Sequence, residues 1–424
     1  VVSVAIALAG AVLAGTATHG GAVPGGTVVH VTSLADAGAG SLRDALAARG
    51  PKVIVFDVGG IIHLASDLKV STAQTTIAGQ SAPLPVTLAG ASLRLRANDL
   101  VVQHIAVRPG PGATPAINDN RDSITIGGGE HAVRDIRVEN VSLSWSVDEN
   151  ADIAGNTQNI TLRNSIIAEA LRNAGHPKGR HSMGMLINKD NQGVAVTDNL
   201  FVSNVFRNPV IARGSSAFVG YNLIANPAEN AIHFYDVAGT TPLKASIVGN
   251  IVAPGPDTAK NVTAVQIPDD MSKLTDAQIY LSGNQAPAGP VTNKGNFVLA
   301  DAPPVTVPEP PPANVRTWVL GHAGARPSDR DPVDSRIVAG ITSGTSKVID
   351  NPSEVGGLPD TAPRQGAPVL PDAPFDPSSQ PGQLRIEAWL CQRHFAVGGP
   401  ATPECPTNVA GEANVARAKL LQRR

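Results

Sequence analysis

Between residues 100 and 300 the apolar positions come in short bursts rather than with a helical period. Each burst is a few β-branched or aliphatic residues, an asparagine, and a second apolar run. The phrase reads IRVENVSLSW (136–145), ITLRNSIIAE (160–169), VAVTDNLFVS (194–203), AFVGYNLIAN (217–226) and ASIVGNIVAP (245–254). Its asparagines, Asn140, Asn164, Asn199, Asn222 and Asn250, follow one another at steps of 24, 35, 23 and 28 residues. LVVQHIAVRP (100–109) carries His104 at the same place. A constant phrase at irregular steps predicts an all-β chain wound as a right-handed, single-stranded parallel β-helix. In such a solenoid short strands stack about 4.8 Å apart while the loops between them vary freely in length. An asparagine at a fixed bend can bond the coils above and below, and it tolerates the left-handed backbone a bend needs. An antiparallel sandwich would instead need Asn-Gly or Asp-Gly hairpin signals between the runs, and these are nearly absent.

The pattern changes outside that region. Residues 1–18 are apolar and end in small residues, the form of an export-signal remnant, so a secreted or periplasmic protein is expected. No later stretch has the length of a membrane span. The solenoid is placed over 19–300. DAPPVTVPEPPPANVR opens a proline-rich strap over 301–375, with a short helix near Pro332–Ala339. A tail over 376–424 contains the helical segment LRIEAWLCQRHFA. Neither segment has enough periodic apolar residues for its own core, so both should pack on the solenoid. Cys391 and Cys405, the two cysteines of the chain, flank a Gly/Pro-rich loop and read as one local disulfide.

Composition agrees with this class and narrows the partners. Among 424 residues there are 42 glycines and 35 prolines, whereas aromatics make up 3% and charged residues 16%. That balance favours many short strands and tight turns. The formal net charge of −2 excludes the basic excess expected of a nucleic-acid binder or a polybasic membrane surface. A monomer is expected.

Stacking coils would gather chemistry from separate segments. Asp122 precedes one strand, and Asp148, Glu149 and Asp152 belong to the next coil. A carboxylate cluster beside a β core is costly unless a cation meets it, and an all-oxygen set suits a hard ion such as Ca²⁺. The bland alternative is a group of solvated turn acids. The next coils supply positive charge. HPKGRHSMG holds His176, Lys178, Arg180 and His181, and VFRNPVIARG holds Arg207 and Arg213. An acidic ligand would fit between them, although surface salt bridges of little energy are the alternative. Trp145 is read as core rather than as a platform.

At these motifs the chain resembles the pectate lyases, specifically the bacterial branch of polysaccharide lyase family one. The matching stretches run in order through GGTVVHVTSLADAGAGSLRDAL, VIVFDVGGIIHL, DSITI, SLSWSVDEN, KGRHSMG, FRNP and AGARPSDRDPVDSRIV. The resemblance implies a parallel β-helix and cleavage of an acidic polysaccharide, α-1,4-galacturonan, by Ca²⁺-assisted β-elimination. It places calcium on Asp122, Asp148, Glu149 and Asp152, makes Arg207 the catalytic base, and sets Lys178 on the substrate carboxylate. Arg213, with Arg180 and His181, falls among the substrate contacts. An arginine base demands a crowded cationic setting and an alkaline optimum. Two positions depart from the family pattern: Val210 delays the second arginine by one residue, and Asn120 stands where an aspartate often precedes Asp122. Two alternatives stay open, a β-helix hydrolase of the polygalacturonase kind using paired carboxylates and a non-catalytic glycan-binding solenoid.

Overall fold

The computed structural model describes residues 11–12, 21–236, 239–273, 275–307, 311–379 and 382–406. Apart from Ala11–Val12, which pair in parallel with Val305–Thr306, the stretch read as an export signal lies outside the described residues. From Thr27 to Asn293 the chain winds as a right-handed parallel β-helix of three sheets. One sheet has ten strands, from Thr27–Val31 to Gln278–Ser282. A second has nine: eight parallel strands from Val58–His63 to Ile251–Ala253, and the antiparallel Arg364–Gln365 at its edge. The third also has nine and runs from Leu68–Val70 to Val291–Asn293.

Each complete coil contributes one strand to each sheet, and alternation along the strand sends every second side chain inward. In the third sheet Leu95, Ile126, Ile153, Ile187 and Ile211 are in register over five coils and fully buried. Their outward neighbours Arg94, Thr125 and Asp152 form a second row. The repeat phrase covers the bend between the first and second sheets.

At this bend the asparagines divide between two adjacent positions, where the sequence pattern had aligned them in one. Asn140 (φ 48°) and Asn164 (φ 50°) share the left-handed position with His104 (φ 58°), Asp198 (φ 59°) and Tyr221 (φ 59°). One residue later, Asn199, Asn222, Asn250 and Asn284 form the buried ladder. Asn199 Nδ2 donates to Asn222 Oδ1 at 3.1 Å, Asn222 Nδ2 to Asn250 Oδ1 at 2.9 Å, and Asn250 Nδ2 to Asn284 Oδ1 at 2.9 Å. Each side-chain oxygen also accepts the backbone N–H of the preceding rung. Left-handed backbone and buried amide are thus tasks of neighbouring residues, with Ser165 at the ladder position of the Asn164 coil.

The C-terminal part lies over the outside of the solenoid. The helices Val315–His322 and Pro332–Ser343 lay Val319, Val333 and Ile337 on Trp145, Ile166, Leu200 and Leu223. Arg385–Ala396 sets Ile386 and Trp389 on Val53 and Val55. Trp145 is 1% exposed and its indole N–H donates to Glu169 at 3.0 Å. Buried polar contacts fasten this cover: Arg108 reaches Asp331 (2.6 Å) and Asp334 (2.9 Å), and Arg336 takes both oxygens of Glu169. Glu404 meets Arg137 and Arg163. Cys391 and Cys405 form a disulfide with a Cα–Cα distance of 5.4 Å. Among the described residues no helix is long and apolar enough to cross a membrane.

The ladder yields a stability test. Asn222→Ala strands the Asn199 N–H and the Val196 carbonyl oxygen inside the bend. With about 1–3 kcal/mol for each unsatisfied group, a loss of about 3 kcal/mol is expected from the denaturant midpoint followed by circular dichroism.

Candidate active site

The chemistry collects where the chain enters the third sheet. Asp122, Asp148, His181 and Arg207 each lie shortly before that sheet's strand in four successive coils, at Ile124–Ile126, Glu149–Ile153, Met183–Ile187 and Val210–Ala212. Three steps of coil stacking, about 14 Å, therefore replace some 85 residues of sequence. Met183 bridges Phe206, which brings the histidine coil beside the arginine coil.

Oxygens of Asp122, Asp148 and Glu149 all lie within 4.8 Å of one another. Asp122 is buried, accepts the Glu149 backbone N–H at 3.2 Å and the Thr125 hydroxyl at 2.5 Å, and meets Arg94 at 3.2 Å. Asp152 stands two coils above Arg94 in the same outward row, and its Oδ1 is buried without a hydrogen-bond partner. Burial, opposed by Arg94 and reinforced by Asp148, pushes Asp122 up to about 6. Glu149 is raised well above the usual carboxylate range by burial and then by Asp148 and Asp122. Asp152 is raised likewise, by burial first and then by Asp122 and Asp148. Clustered, dehydrated oxygens that resist ionising, one of them unpartnered, are the donor set a hard divalent cation satisfies.

Arg207 occupies the left-handed region (φ 60°) and pairs with Glu149. Its guanidinium carbon lies 5.7 Å from the ring centroids of both Phe206 and Tyr235. His233, beside Phe206, is pulled down to about 4 by burial and by the charge of Arg207. His181 stacks on His176 with ring centroids 3.5 Å apart, and their Nε2 atoms stand 3.6 and 3.7 Å from Asp148 Oδ1. Burial is also the main cause lowering His181.

The remaining residues singled out from sequence lie at the margin. Lys178 is 73% exposed and 3.7 Å from Asp119, away from the carboxylate cluster. Arg180 is exposed and has no ion pair among the described residues. Arg213 follows the Val210–Ala212 strand, 3.8 Å from Asp236. Val210 is a buried residue of that strand, and the Asn120 carbonyl oxygen accepts from Arg94. Sequence reasoning passed over Arg94, the cation that holds Asp122. The alternation in SLRLR, which turns Leu93 and Leu95 inward and the arginines outward, was a signal that could have found it. The ring contacts of Phe206, Tyr235 and His176 had no comparable signal.

A parallel β-helix whose outer face carries acids on two coils, histidines on the next and an arginine on the one beyond is the class that fold and site define. The chain is 32% identical over 354 residues to the probable pectate lyase C of Neosartorya fischeri, spanning 78% of this chain and 77% of that protein. It is 33% identical over 353 residues to its counterpart in Aspergillus fumigatus strain Af293, with the same coverage. A match to the Emericella nidulans protein reaches 38% over 204 residues, 48% of this chain and 44% of that one. The chain belongs to the pectate lyase family. These relatives are fungal, which corrects the placement in the bacterial branch: the shared motifs mark the family's site and do not resolve its branches. No protein-family model matches the chain. Among solved structures, the cedar-pollen allergen jun a 1 aligns at 18% identity and a TM-score of 0.49, over 68% of this chain and 84% of that one.

The carboxylates set a pH test on the metal-free protein. A carboxyl raised in the folded state costs stability when ionised, and that cost is relieved as pH falls through the folded value toward the unfolded one. Metal-free protein should gain stability between about pH 6 and 4, read from denaturant midpoints. Asp152→Asn should stabilise it at pH 7 while weakening binding of added Ca²⁺ in calorimetry.

Proposed function

We propose that the protein is an exported pectate lyase that cleaves α-1,4-galacturonan by β-elimination with calcium bound. The observation that carries this reading is the Arg207–Glu149 pair at the edge of the Asp122, Asp148 and Glu149 cluster. It sets a cationic residue beside the place where a metal-bound uronate would lie. The membership of the family supports the substrate and reaction type.

In the reaction the C5 proton next to the uronate carboxylate moves to a base. The electron pair forms the C4=C5 double bond, and the C4–O glycosidic bond breaks. The departing oxygen takes a proton from water. Asp122, Asp148, Glu149 and Asp152 would hold the calcium ion, which would supply positive charge to the uronate carboxylate as negative charge builds on it. Arg207 is the residue assigned to the C5 proton. The flanking rings of Phe206 and Tyr235 and the Glu149 carboxylate limit where its guanidinium can go, so the group is oriented before substrate arrives. Glu149 therefore serves two partners, the cation and the arginine. Lys178 and Arg180, on the exposed loop above Asp119, are assigned to substrate carboxylates entering from solvent, and Arg213 to the far end of the strand. His181, packed on Asp148, is assigned to the wall between them.

A disulfide persists in oxidising compartments, and the Cys391–Cys405 bond supports export. A hydrolase using two carboxylates would leave the guanidinium of Arg207 without a task. A purely binding solenoid would call for more exposed rings than Tyr235 provides.

Incubation with polygalacturonate should yield product absorbing in the ultraviolet from its new double bond. Chelation should abolish it, and Arg207→Ala should lower the rate by about 10²–10⁴-fold with calcium affinity retained. Chain cleavage without the absorbance would overturn the lyase reading.

A further inference from the structure

Beside the carboxylate cluster lies an arginine with no assigned task. Arg94 and Arg96 both follow the outward alternation of the Leu93–Leu95 strand, but their surroundings differ. Arg94 is fully engaged by Asp67, Asp122, Thr125 and the Asn120 carbonyl oxygen. Arg96 is half-buried and makes no side-chain hydrogen bond or ion pair among the described residues, and its Nη1 is buried without a partner. A buried N–H left unsatisfied is costly, and a guanidinium keeps its charge, so an acceptor is wanted here.

The chain makes room for this side chain. A Cβ on Gly128 would stand 2.9 Å from Arg96 Nη1 and 3.0 Å from the Ala154 Cβ, and one on Gly129 would stand 3.5 Å from Arg96 Cδ. Gly128 lies one coil above Arg96 and Ala154 two coils above, by the register Leu95–Ile126–Ile153. The guanidinium thus lies across the second coil and ends next to the third, whose strand carries Asp152. Asp152 Oδ1 is likewise buried without a partner, and no ion pair within 4.0 Å joins it to Arg96. One acid lacks a cation and one cation lacks an acid, two coils apart on the outer face of the third sheet.

We propose that Arg96 binds a uronate carboxylate of the polysaccharide, forming a subsite on the N-terminal side of the Asp152 carboxylate. This rests on the pectate lyase reading and extends it to specificity. A free carboxylate offers a guanidinium two equivalent, charged acceptors, whereas a methyl ester offers a single neutral carbonyl. Arg96 therefore selects for de-esterified stretches of the polymer.

Kinetics of Arg96→Ala and Arg96→Lys on polygalacturonate and on highly methyl-esterified pectin test it. Arg96→Ala should raise KM for polygalacturonate about tenfold with kcat nearly unchanged. Its preference for polygalacturonate over esterified pectin should shrink by a similar factor. Arg96→Lys should recover part of the loss, and Arg364→Ala, which removes an exposed arginine of the edge strand Arg364–Gln365, should change neither constant. An unchanged KM together with altered Ca²⁺ affinity in calorimetry would mean that Arg96 only balances Asp152, and would overturn the proposal. If the wild type forms no unsaturated product, the reaction assignment fails separately. Retardation in gels containing polygalacturonate then decides the subsite: weaker retardation of Arg96→Ala supports it, and equal retardation overturns it.

Discussion

In-register parallel stacking is the constraint on which the rest of this molecule depends. Each coil must present its inward residues directly above those of the coil below, since a slip of one residue would turn the Leu95–Ile126–Ile153–Ile187–Ile211 column to solvent. The same register lines up the outward residues, so functional side chains inherit their positions from the core. Asp122 and Glu149 are neighbours because their coils stack. The buried asparagine ladder adds direction at the bend: amide bonds to amide along the axis, and each rung satisfies a backbone N–H that the turn would otherwise strand.

The outer cover answers a second problem created by the same geometry. A solenoid of three sheets has outer faces as well as an interior, and here several outward residues are large or charged: Trp145, Arg108, Glu169 and Arg163. Each finds its partner in the C-terminal part of the chain. Arg108 is a fully buried cation matched by two carboxylates, Asp331 and Asp334, the arrangement in which burying charge is tolerable. Glu404 shows the balance in detail. Burial alone would raise its carboxyl, but Arg137 and Arg163 outweigh this and hold it well below the usual range.

How much of this was legible in the sequence follows from what periodicity can and cannot carry. The repeat phrase around Asn199, Asn222 and Asn250 revealed the coil, because the same local demand recurs in every turn. It could not separate Asn140 and Asn164 from the ladder, since the difference is one residue of register and both positions accept asparagine for different reasons. Asp122, Asp148, Glu149 and Arg207 were found through their motifs, and the fold brings them together. Lys178 was assigned to the substrate carboxylate through the family motif KGRHSMG, and its position on an exposed loop beside Asp119 was not readable from the strand pattern. Loops escape the stacking rule, and their placement was accordingly the least readable. Val210 illustrates the opposite case: a departure from the family pattern, it proves to be strand interior, where an aliphatic residue continues the sheet and moves the next arginine past the strand's end.

The electrostatics of the groove follow from these placements. Asp122, Glu149 and Asp152, on two adjacent coils, are raised by burial and by the neighbouring acids, so the metal-free site holds unfavourable free energy that a divalent cation would release. Arg94 and Arg207 relieve only part of it, one from the coil below and one from above, each gripping one member of the cluster. A second full complement of protein cations would quench the site and leave nothing for a metal to do. Arg96 lies outside ion-pair distance of Asp152, which leaves a buried atom of each, Nη1 and Oδ1, without a protein partner. The site is therefore incompletely neutralised on both sides. That condition favours a ligand that brings positive and negative charge together over a neutral one.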